Sequence, residues 1–235
     1  MEYLLEGAHL LGLKLSKAQI EAFQLYYQEL TAWNQKFNLT AITSYRAVQV
    51  RHFLDSLSCT LAIEDPSVET LDIGTGPGFP GLPLKILHPQ MPLTLLESIR
   101  KKVRFLEHMV EVLGLEGVEI IWGRAEEWGR KESYREHFGL VLARAVAPLP
   151  VLLEYALPFC RVGGIFIAQK GARLPQELED AEPALEVLGG RVKEVRDLRR
   201  EGLEELHSLV IVEKIAPTPQ RYPRRAGIPR KRPIR

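Results

Sequence analysis

The sequence has few of the residues that build disulfide frameworks and metal centres, and it has no long hydrophobic run. Its 235 residues include two cysteines, Cys59 and Cys160, and neither belongs to a CxxC pair or lies near a pair of histidines. Zinc sites and disulfide scaffolds need such spacings, so we expect two packed thiols and no metal. No apolar run approaches the roughly 18 residues of a membrane span, and no charged-then-apolar leader begins the chain. We therefore expect a cytoplasmic protein without a membrane anchor.

Acidic residues are missing from the last twenty positions. Residues 216–235 contain seven basic residues and no acid, which leaves 24 basic against 30 acidic residues in the rest of the chain. A basic segment on an acidic body predicts binding to a polyanion. A disordered solubilising end is the alternative, but five prolines and Tyr222 favour defined, extended contacts.

A phosphate-binding P-loop is also absent, because no Gly-Lys-Ser/Thr follows the glycines of the chain. What the chain has instead is a short apolar segment ending in an acid and followed by four glycines, ETLDIGTGPGFPG at residues 69–81. Glycine permits left-handed dihedral angles and a close approach of the backbone to a ligand. One or two glycines would satisfy a strand-to-helix turn alone, so four predict a nucleotide-cofactor loop.

Two cofactor patterns overlap on this loop. Residues 76–81 satisfy the GxGxxG pattern of dinucleotide sites, with Glu97 about 20 residues beyond the first glycine. Residues 72–78 satisfy the acid-x-G-x-G-x-G pattern of S-adenosylmethionine-dependent methyltransferases. The dinucleotide pattern begins two residues after the strand end, and Pro80 and Pro83 remove N–H groups that a diphosphate would use. The loop therefore favours S-adenosylmethionine, with a dinucleotide as the alternative.

Hydrophobic periodicity predicts a helical first 60 residues followed by a sheet. Ser16 and Gln19 form a capping-box pattern, and a helical stripe of Ile20, Phe23, Tyr27 and Leu30 follows it. From residue 69, apolar runs alternate with amphipathic helices, as in a doubly wound parallel sheet. The predicted strands are 69–73, 93–97, 118–122, 140–143 and 165–168, with a terminal hairpin of 191–197 and 206–213.

Further candidate residues end the predicted strands, where ligands of open α/β sheets bind. Glu97 ends the second strand and can accept two hydrogen bonds from a ribose diol. Residues 123–126 follow the third strand. Either the backbone of Ala125 and the side chain of Glu126 read an adenine there, or the segment is a surface turn that opens a helix with acids at its positive end. Arg144 and, more weakly, Lys170 follow the fourth and fifth strands.

Four segments together resemble the RsmG family, formerly called GidB. They are the loop at residues 71–82, residues 38–42 (NLTAI) with His52 and Asp55-Ser-Leu, residues 143–146 (ARAV), and residues 222–229 (YPRRAGIP). The resemblance covers nearly the whole chain. It implies transfer of a methyl group from S-adenosylmethionine to N7 of a guanine in the decoding-region loop of 16S ribosomal RNA. By this resemblance, contacts with the cofactor come from Gly74, Phe79, Ala125, Glu126 and Arg144.

We therefore predict a Rossmann-like class I S-adenosylmethionine methyltransferase fold with a mixed seven-stranded sheet. Residues 1–60 are predicted as an N-terminal helical extension, 61–215 as the cofactor-binding domain and 216–235 as a basic tail that packs on the domain and contacts RNA. The predicted cofactor-binding residues are Asp72, Gly74, Gly76, Gly78, Phe79, Glu97, Ser98, Gly123, Ala125, Glu126 and Arg144, of which Arg144 is also the predicted catalytic residue. The predicted RNA-binding residues are Lys170, Arg221, Tyr222, Arg224, Arg225, Arg230 and Lys231.

The expected partner is 16S ribosomal RNA or an assembly intermediate of the small ribosomal subunit, bound by a monomer. Because guanine N7 carries no proton, the reaction needs no general base, and the sequence offers none near the loop. Deletion of residues 216–235 is predicted to abolish RNA methylation and spare cofactor affinity. Two alternatives stay open: a nicotinamide-dependent oxidoreductase, and a non-catalytic RNA-binding protein that keeps a nucleotide fold.

Overall fold

The computed structural model describes residues 1–171, 174–199 and 201–234. Seven of its strands form one mixed sheet in the order β3-β2-β1-β4-β5-β7-β6. The strands are β1 Thr70–Ile73, β2 Leu93–Glu97, β3 Val118–Trp122, β4 Phe138–Arg144, β5 Cys160–Lys170, β6 Gly190–Arg196 and β7 Ser208–Lys214. Strands β1 to β5 pair in parallel, and β7 pairs antiparallel with both β5 and β6.

The strand order reverses at one place in this sheet. The chain runs outward from β1 through β2 to β3 and then returns to place β4 on the other side of β1. At such a switch point the loops after the two central strands diverge and leave a crevice at the carboxyl edge of the sheet. The glycine loop follows β1, and Arg144 is the last residue of β4, so two predicted parts of the site flank this crevice.

The N-terminal segment is helical as far as Ala62. Its elements are α1 Glu2–Leu10, α2 Lys17–Phe37, α3 Tyr45–Val48, a π-helical segment Gln49–Leu54, α4 Asp55–Leu57 and a 3₁₀ segment Ser58–Ala62. Ser16 and Gln19 form the predicted capping box at the start of α2. The fully buried residues of α2 are Phe23, Tyr26 and Leu30, and Ile20 and Tyr27 of the predicted stripe are partly buried against the same core. Tyr26, which the predicted stripe omits, is fully buried, and its hydroxyl donates to the carbonyl of Pro77, 2.5 Å away, in the glycine loop.

Helices cover both faces of the sheet. The remaining ones are α5 Gly81–Leu87, α6 Arg100–Val112, α7 Ala125–Trp128, α8 Leu149–Ala156, α9 Leu174–Glu179, α10 Glu182–Leu188 and α11 Ile228–Lys231. The core on one face combines the N-terminal helices with α5 and α6, and the core on the other face combines α8 to α10 with Tyr222 and Ile234 of the C-terminal segment. Successive residues of β4 alternate between these two cores, as the two-residue period of a strand requires. Strands β1, β2 and β4 are thus buried along nearly their whole length, because both of their faces are covered.

The predicted strands are confirmed in number and order, but two are longer than predicted. Strand β4 includes Phe138 and Arg144, and β5 begins at Cys160 and passes through Gly163 and Gly164. Glycine weakens a strand pattern in a sequence, yet Gly164 is required here because a Cβ would lie 2.8 Å from the carbonyl oxygen of Gly139. Both cysteines are buried, as predicted.

Candidate functional site

Two adjoining cavities open at the carboxyl edge of the sheet. The first, here called the sheet cavity, has a volume of about 190 Å³ and is lined mainly by the segments that follow β1 to β4. The second, here called the helical cavity, has a volume of about 340 Å³ and lies between that edge and the N-terminal helices. Gly74 lines both cavities, while Val146 lines the first and Ala145 the second. Together they reach the size typical of small-molecule sites, about 300–1,000 Å³.

The sheet cavity collects the predicted residues that follow the first three strands. Of the predicted cofactor-binding residues, its lining includes Gly74, Ser98, Gly123, Ala125 and Glu126. Sequence reasoning missed Arg124, Tyr155 and Arg230 as lining residues for a cofactor. Arg124 lies inside the segment 123–126, so its position was available as a signal. Tyr155 in α8 and Arg230 in α11 come from distant elements, and no local pattern marks them.

The backbone of the glycine loop offers no free hydrogen-bond donors to an anion. Every N–H group from residue 74 to residue 82 has an acceptor within the protein, and residues 77 and 80 are prolines. The acceptors are the carbonyl of Leu96 for Gly74 and Thr75, the carboxylate of Glu97 for Gly76, the carbonyl of Thr75 for Gly78 and Phe79, the carboxylate of Asp72 for Gly81 and the carbonyl of Gly78 for Leu82. A diphosphate bound at a helix N-terminus requires such groups to be free. The dinucleotide alternative therefore lacks the donors that its phosphates need.

Two buried carboxyl groups support the loop from below. Asp72 accepts hydrogen bonds from the Thr75 hydroxyl at 2.6 Å and the Gly81 amide at 2.8 Å, and it lines neither cavity. Burial raises the pKa of Asp72 to about 7, although the same two hydrogen bonds lower it. Its Oδ1 has no partner among the described residues. Asp72 therefore supports the loop in this structure, and its predicted contact with the cofactor stays a prediction.

Glu97 has a similar supporting contact. It is buried, and its two oxygens accept from the amides of Gly76 and Ile99 at 2.9 and 2.8 Å. A carboxylate has about four acceptor positions, so these bonds leave capacity for a ribose diol, and that role of Glu97 stays a prediction. Together, Asp72 and Glu97 place acidic groups around the loop, and the loop has no free N–H groups that could bind a phosphate.

The loop glycines are required for different reasons. Gly74 has a φ of 61°, and a Cβ there would lie 2.8 Å from Cγ2 of Val146 at the junction of the cavities. Gly78 has a φ of 101°, and a Cβ there would lie 2.4 Å from the Tyr26 hydroxyl oxygen. Gly78 lines neither cavity. This glycine makes room for helix α2, and its predicted contact with the cofactor stays a prediction.

The helical cavity holds the other predicted residues together with a set that sequence reasoning missed. The predicted residues in its lining are Gly74, Gly76, Phe79 and Arg144. The lining residues without a predicted cofactor or RNA role include Thr40, Arg51, His52, Lys102 and His207. The motif at residues 38–42 and the pair His52 and Asp55 stand out in the sequence, but their spacing alone does not show that they face β4.

Arg144 forms a buried ion pair at the wall of the helical cavity. Its Nη1 lies 3.0 Å from Oδ2 of Asp55 and donates to the carbonyl of Arg51 at 3.0 Å. The side chains of Arg144 and Asp55 are 8% and 0% exposed, and the guanidinium lies 5.0 Å from the ring centroid of Phe79. The guanidinium is thus held by contacts within the protein. Arg144 lines the helical cavity and not the sheet cavity, so its predicted contact with the cofactor and its catalytic role stay predictions.

Asp55 is the centre of this network. It accepts from the backbone amide of His207 at 2.8 Å and from Nδ1 of the same residue at 3.0 Å. Burial alone would raise the pKa of Asp55, but the hydrogen bonds from His207 and the charge of Arg144 lower it below its ordinary value. The carboxylate therefore stays ionised and ties β7, β4 and the N-terminal helices together.

An aromatic stack forms the floor of the helical cavity. The Phe79 ring lies between Tyr26 and His52, with centroid distances of 5.4 and 4.4 Å and interplanar angles of 16° on both sides. Burial and the charge of Arg144 lower the pKa of His52 to about 3. His52 is therefore neutral at physiological pH, and both of its nitrogens have partners, Arg144 and Thr40.

Comparison with known proteins identifies the family. A family model described as rRNA small subunit methyltransferase G matches residues 19–207. A protein of the same name from Roseiflexus castenholzii is 50% identical over 234 residues, which is 100% of each chain. The chain belongs to the rRNA small subunit methyltransferase G family. The predicted family is confirmed, and the oxidoreductase alternative is excluded.

Solved structures confirm the predicted fold of this rRNA small subunit methyltransferase G chain. A SAM-dependent methyltransferase from Aquifex aeolicus matches with a TM-score of 0.54 and 16% identity, over 72% of this chain and 93% of that one. Fibrillarin from Aeropyrum pernix, solved with natively bound S-adenosyl-L-methionine, matches with a TM-score of 0.53 and 18% identity, over 66% of this chain and 73% of that one. At these identities the likeness establishes the class I methyltransferase fold alone.

The C-terminal segment of this methyltransferase chain is part of the body. The guanidinium of Arg135 donates to the carbonyls of Thr218 at 2.6 Å and Tyr222 at 2.8 Å. The amide of Gly227 donates to Oε1 of Glu126 at 2.9 Å, and Arg230 then lines the sheet cavity. This segment therefore forms a wall of the cavity in addition to carrying charge.

Three predicted RNA-binding residues have structural partners instead. The guanidinium of Arg224 makes two-pronged contacts with the buried carboxylate of Glu154, the shortest of them 2.6 Å. Tyr222 is buried, and Lys170 is buried with its Nζ 2.5 Å from Oε2 of Glu177. In this structure these side chains anchor the fold, and their predicted contacts with RNA stay predictions. Exposed side chains remain at the other predicted positions, which are Arg221, Arg225, Arg230 and Lys231.

The described residues also bear on metal and membrane binding. Within residues 1–171, 174–199 and 201–234, no three His, Cys, Asp or Glu side chains are grouped closely enough to hold a metal ion. In the same part of the chain, no helix combines the length and the apolar character of a membrane span.

Proposed function

We propose that this chain transfers a methyl group from S-adenosylmethionine to N7 of a guanine in the decoding-region loop of 16S ribosomal RNA. The observation that carries the proposal is the pair of cavities that meet at Gly74 and at Ala145–Val146. A methyl transfer needs a donor and an acceptor on opposite sides of one point, about 3–3.5 Å apart. The sheet cavity is the site for the donor, and the helical cavity is the site for the acceptor base.

The residues of the sheet cavity fit S-adenosylmethionine. This cofactor supplies an electrophilic methyl group on a sulfonium, which carries a positive charge and no phosphate. Glu97 lies under a loop whose amides are all occupied, so the loop offers no donors to a phosphate, which S-adenosylmethionine does not have. Ser98, Ala125 and Glu126 hold the nucleoside in this proposal, and Glu97 holds the ribose.

The helical cavity fits an acceptor that needs no deprotonation. Guanine N7 carries a lone pair and no proton, so transfer requires no general base. The buried ionisable groups beside this cavity are paired with one another: Arg144 with Asp55 and His52, and Asp55 with His207. Their proposed role is to hold a rigid, partly apolar pocket that positions the base. A base must leave its stack to enter such a pocket, so the substrate is loop or single-stranded RNA.

Basic groups near the mouth of the helical cavity support an RNA substrate. Arg51 is exposed and Lys102 half-exposed, and both line this cavity. Arg221, Arg225 and Lys231 are exposed on the C-terminal segment. Phosphate contacts from such residues give affinity that falls steeply with salt. The partner in this proposal is 16S ribosomal RNA, free or in an assembly intermediate of the small subunit.

The experiment uses purified full-length protein, S-adenosylmethionine and 16S RNA or small subunits from cells that lack the enzyme. We expect one N7-methylguanosine per RNA, detected by mass spectrometry of nuclease digests and located by cleavage at the modified base. Methylation of another atom or another RNA would reject the N7 assignment. RNA binding without any methyl transfer would favour the remaining alternative, a non-catalytic RNA-binding protein.

A further inference from the structure

Thr40 belongs to the segment 38–42, which the proposed function leaves without a role. It follows α2 and lines the helical cavity. Its backbone amide donates to Oδ1 of Asn34 at 2.8 Å, which anchors the residue to the last turn of α2. The position of its side chain is therefore set by the fold and does not depend on a bound ligand.

The proton positions on His52 follow from its partners. Nη2 of Arg144 lies 3.2 Å from Nδ1 of His52. A guanidinium is always protonated and can only donate, so Nδ1 must accept and carries no proton. In a neutral imidazole the other nitrogen then bears the proton. Nε2 of His52 is therefore a donor, and its partner at 2.9 Å is Oγ1 of Thr40.

The hydroxyl of Thr40 can consequently act only as a donor toward the cavity. Its oxygen accepts from Nε2 of His52 at 2.9 Å and from the backbone amide of Ile42 at 3.1 Å. A hydroxyl has two acceptor lone pairs and one proton, and both lone pairs are now in use. No described residue accepts the proton of Thr40, so the remaining direction opens on the helical cavity.

A fixed donor beside the acceptor base distinguishes guanine from adenine. On the edge that presents N7, guanine has the acceptor O6, whereas adenine has an amino group that donates. A hydrogen bond to O6 leaves the N7 lone pair free for the methyl group. The amino group of adenine is itself a donor, so it cannot accept the hydroxyl proton of Thr40.

We infer that Thr40 selects guanine as the acceptor base by donating its hydroxyl proton to O6. Thr40 is thus a specificity-determining residue. This assignment rests on the proposed function, because it requires a guanine in the helical cavity. It also explains why Arg144 and His52 are arranged around Thr40: their contacts orient the hydroxyl so that it donates and never accepts.

The test measures kcat/KM with three RNA substrates that differ only at the target base. They carry guanine, inosine, which keeps O6 and loses the 2-amino group, or 2-aminopurine, which keeps N7 and lacks O6. The variants are Thr40→Val, which removes the hydroxyl, and Thr40→Ser, which keeps it. Thr31→Val is the matched control, because its hydroxyl bonds to the carbonyl of Tyr27 within α2, away from the cavity.

For the wild type we expect inosine to react about as well as guanine, and 2-aminopurine to react about 10- to 100-fold more slowly. Thr40→Val lowers kcat/KM for guanine by a similar factor and causes little further loss with 2-aminopurine, because the same hydrogen bond is already missing. Thr40→Ser retains most of the activity, and Thr31→Val behaves as the wild type.

A merely structural role would give a different result. Thr40→Val leaves the His52 and Ile42 donors without an acceptor, so part of its effect is independent of the base. If Thr40→Val slowed guanine and 2-aminopurine by equal factors, the assignment to O6 would be overturned while the proposed function stood. If the wild type methylated no guanine at N7, both the proposed function and this assignment would fail together. Calorimetric binding of S-adenosylmethionine shows that each variant is folded.

Discussion

The two cavities are built in opposite ways. The sheet cavity is lined mainly by segments that directly follow parallel strands, and its loop is held by backbone hydrogen bonds to its own neighbours. The helical cavity is closed by side chains from the N-terminal helices, β4 and the start of β7. The first is lined by loops that the class I fold places at the strand ends, and the second depends on how the N-terminal segment packs on the sheet.

This difference implies a division of labour. A strand-end site can hold the same cofactor in many proteins, because backbone geometry changes little with sequence. Substrate choice requires side chains that a particular family adds. The helical cavity depends on an N-terminal extension packed against one face of the sheet. Substitutions in this cavity should therefore affect binding of the acceptor base and not binding of the methyl donor.

The largest effect should come from breaking the ion pair of the helical cavity. Replacing Arg144 by Gln leaves the Asp55 carboxylate buried and poorly compensated, and such losses cost about 3–5 kcal/mol of unfolding free energy. We expect methylation to fall by about 100-fold through misplacement of the base, with the affinity for S-adenosylmethionine changed by less than about threefold. Urea unfolding, calorimetry and a methyl-transfer assay below the unfolding temperature measure the three quantities.

Arg191→Gln is the control for this change. Its guanidinium is 66% exposed and pairs with Glu213 at the surface, where an ion pair contributes about 1 kcal/mol or less. This substitution should leave the unfolding free energy, the methylation rate and the affinity for S-adenosylmethionine nearly unchanged. A loss of cofactor affinity in Arg144→Gln as large as its loss of turnover would contradict the division between the cavities and support the cofactor contact predicted from the sequence.

The next effect is a pH dependence of stability that comes from His52. The pKa of His52 is about 3 in the folded protein, because burial and the charge of Arg144 disfavour its protonated form. The unfolded chain takes up this proton near pH 6.5. Stability is therefore unaffected by His52 above pH 6.5 and decreases as the pH falls from 6.5 toward 3, by up to about 1.4 kcal/mol per pH unit.

Denaturant unfolding at several pH values isolates this contribution. The unfolding free energy of His52→Gln should fall less steeply with decreasing pH than that of the wild type, and His9→Gln, an exposed substitution in α1, should follow the wild-type slope. Equal slopes in all three proteins would show that His52 is not held neutral, and the hydrogen-bond directions assigned to Thr40 would then be wrong.

Gly74→Ala should have a smaller effect on stability, but it should disturb both cavities, because Gly74 lines both. Alanine in the left-handed region costs about 1–2 kcal/mol, and here its Cβ would also press on Val146. We expect cofactor affinity and methylation to fall together, by about tenfold or more.

Gly12→Ala is the control for this change. The φ of Gly12 is 76°, against 61° for Gly74, and a Cβ at Gly12 would have nothing within 4 Å. It should lose similar stability and no activity; if Gly74→Ala did the same, the junction of the cavities would not lie at this residue.

The sequence predicted the sheet cavity far better than the helical cavity, and the reason is physical. Strand ends carry local signals, so Gly74, Ser98 and Glu126 could be placed from the order of strands and turns alone. The pairs of the helical cavity join residues far apart in the chain: Asp55 and Arg144 are 89 positions apart, and Asp55 and His207 are 152 apart. No periodicity predicts such pairs, and the π-helical segment Gln49–Leu54 also changes the register that an α-helix would give His52.

The tail was predicted both to pack on the domain and to contact RNA, and its charge alone did not show which residues do each. Its seven basic residues suggested an arm for RNA, but Arg224 forms an ion pair inside the body and Tyr222 is part of a core. Composition reports how many charges a segment has and not which of them are already paired. Deletion of residues 216–235 should therefore lower cofactor affinity as well as RNA methylation, contrary to the prediction from the sequence.

Two exposed arginines of the tail provide the finest test of the comparison. Arg230 lines the sheet cavity, whereas Arg225 does not line either cavity. Because both side chains are exposed, Arg230→Ala should weaken S-adenosylmethionine binding only about 3- to 10-fold, the size of one solvent-screened contact. Arg225→Ala should leave this affinity unchanged and weaken RNA binding, with a shallower dependence on salt. Calorimetry measures the affinity of each variant for the cofactor, and filter binding measures its affinity for 16S RNA. If both variants lost the same affinity for both ligands, the tail would act only through its total charge.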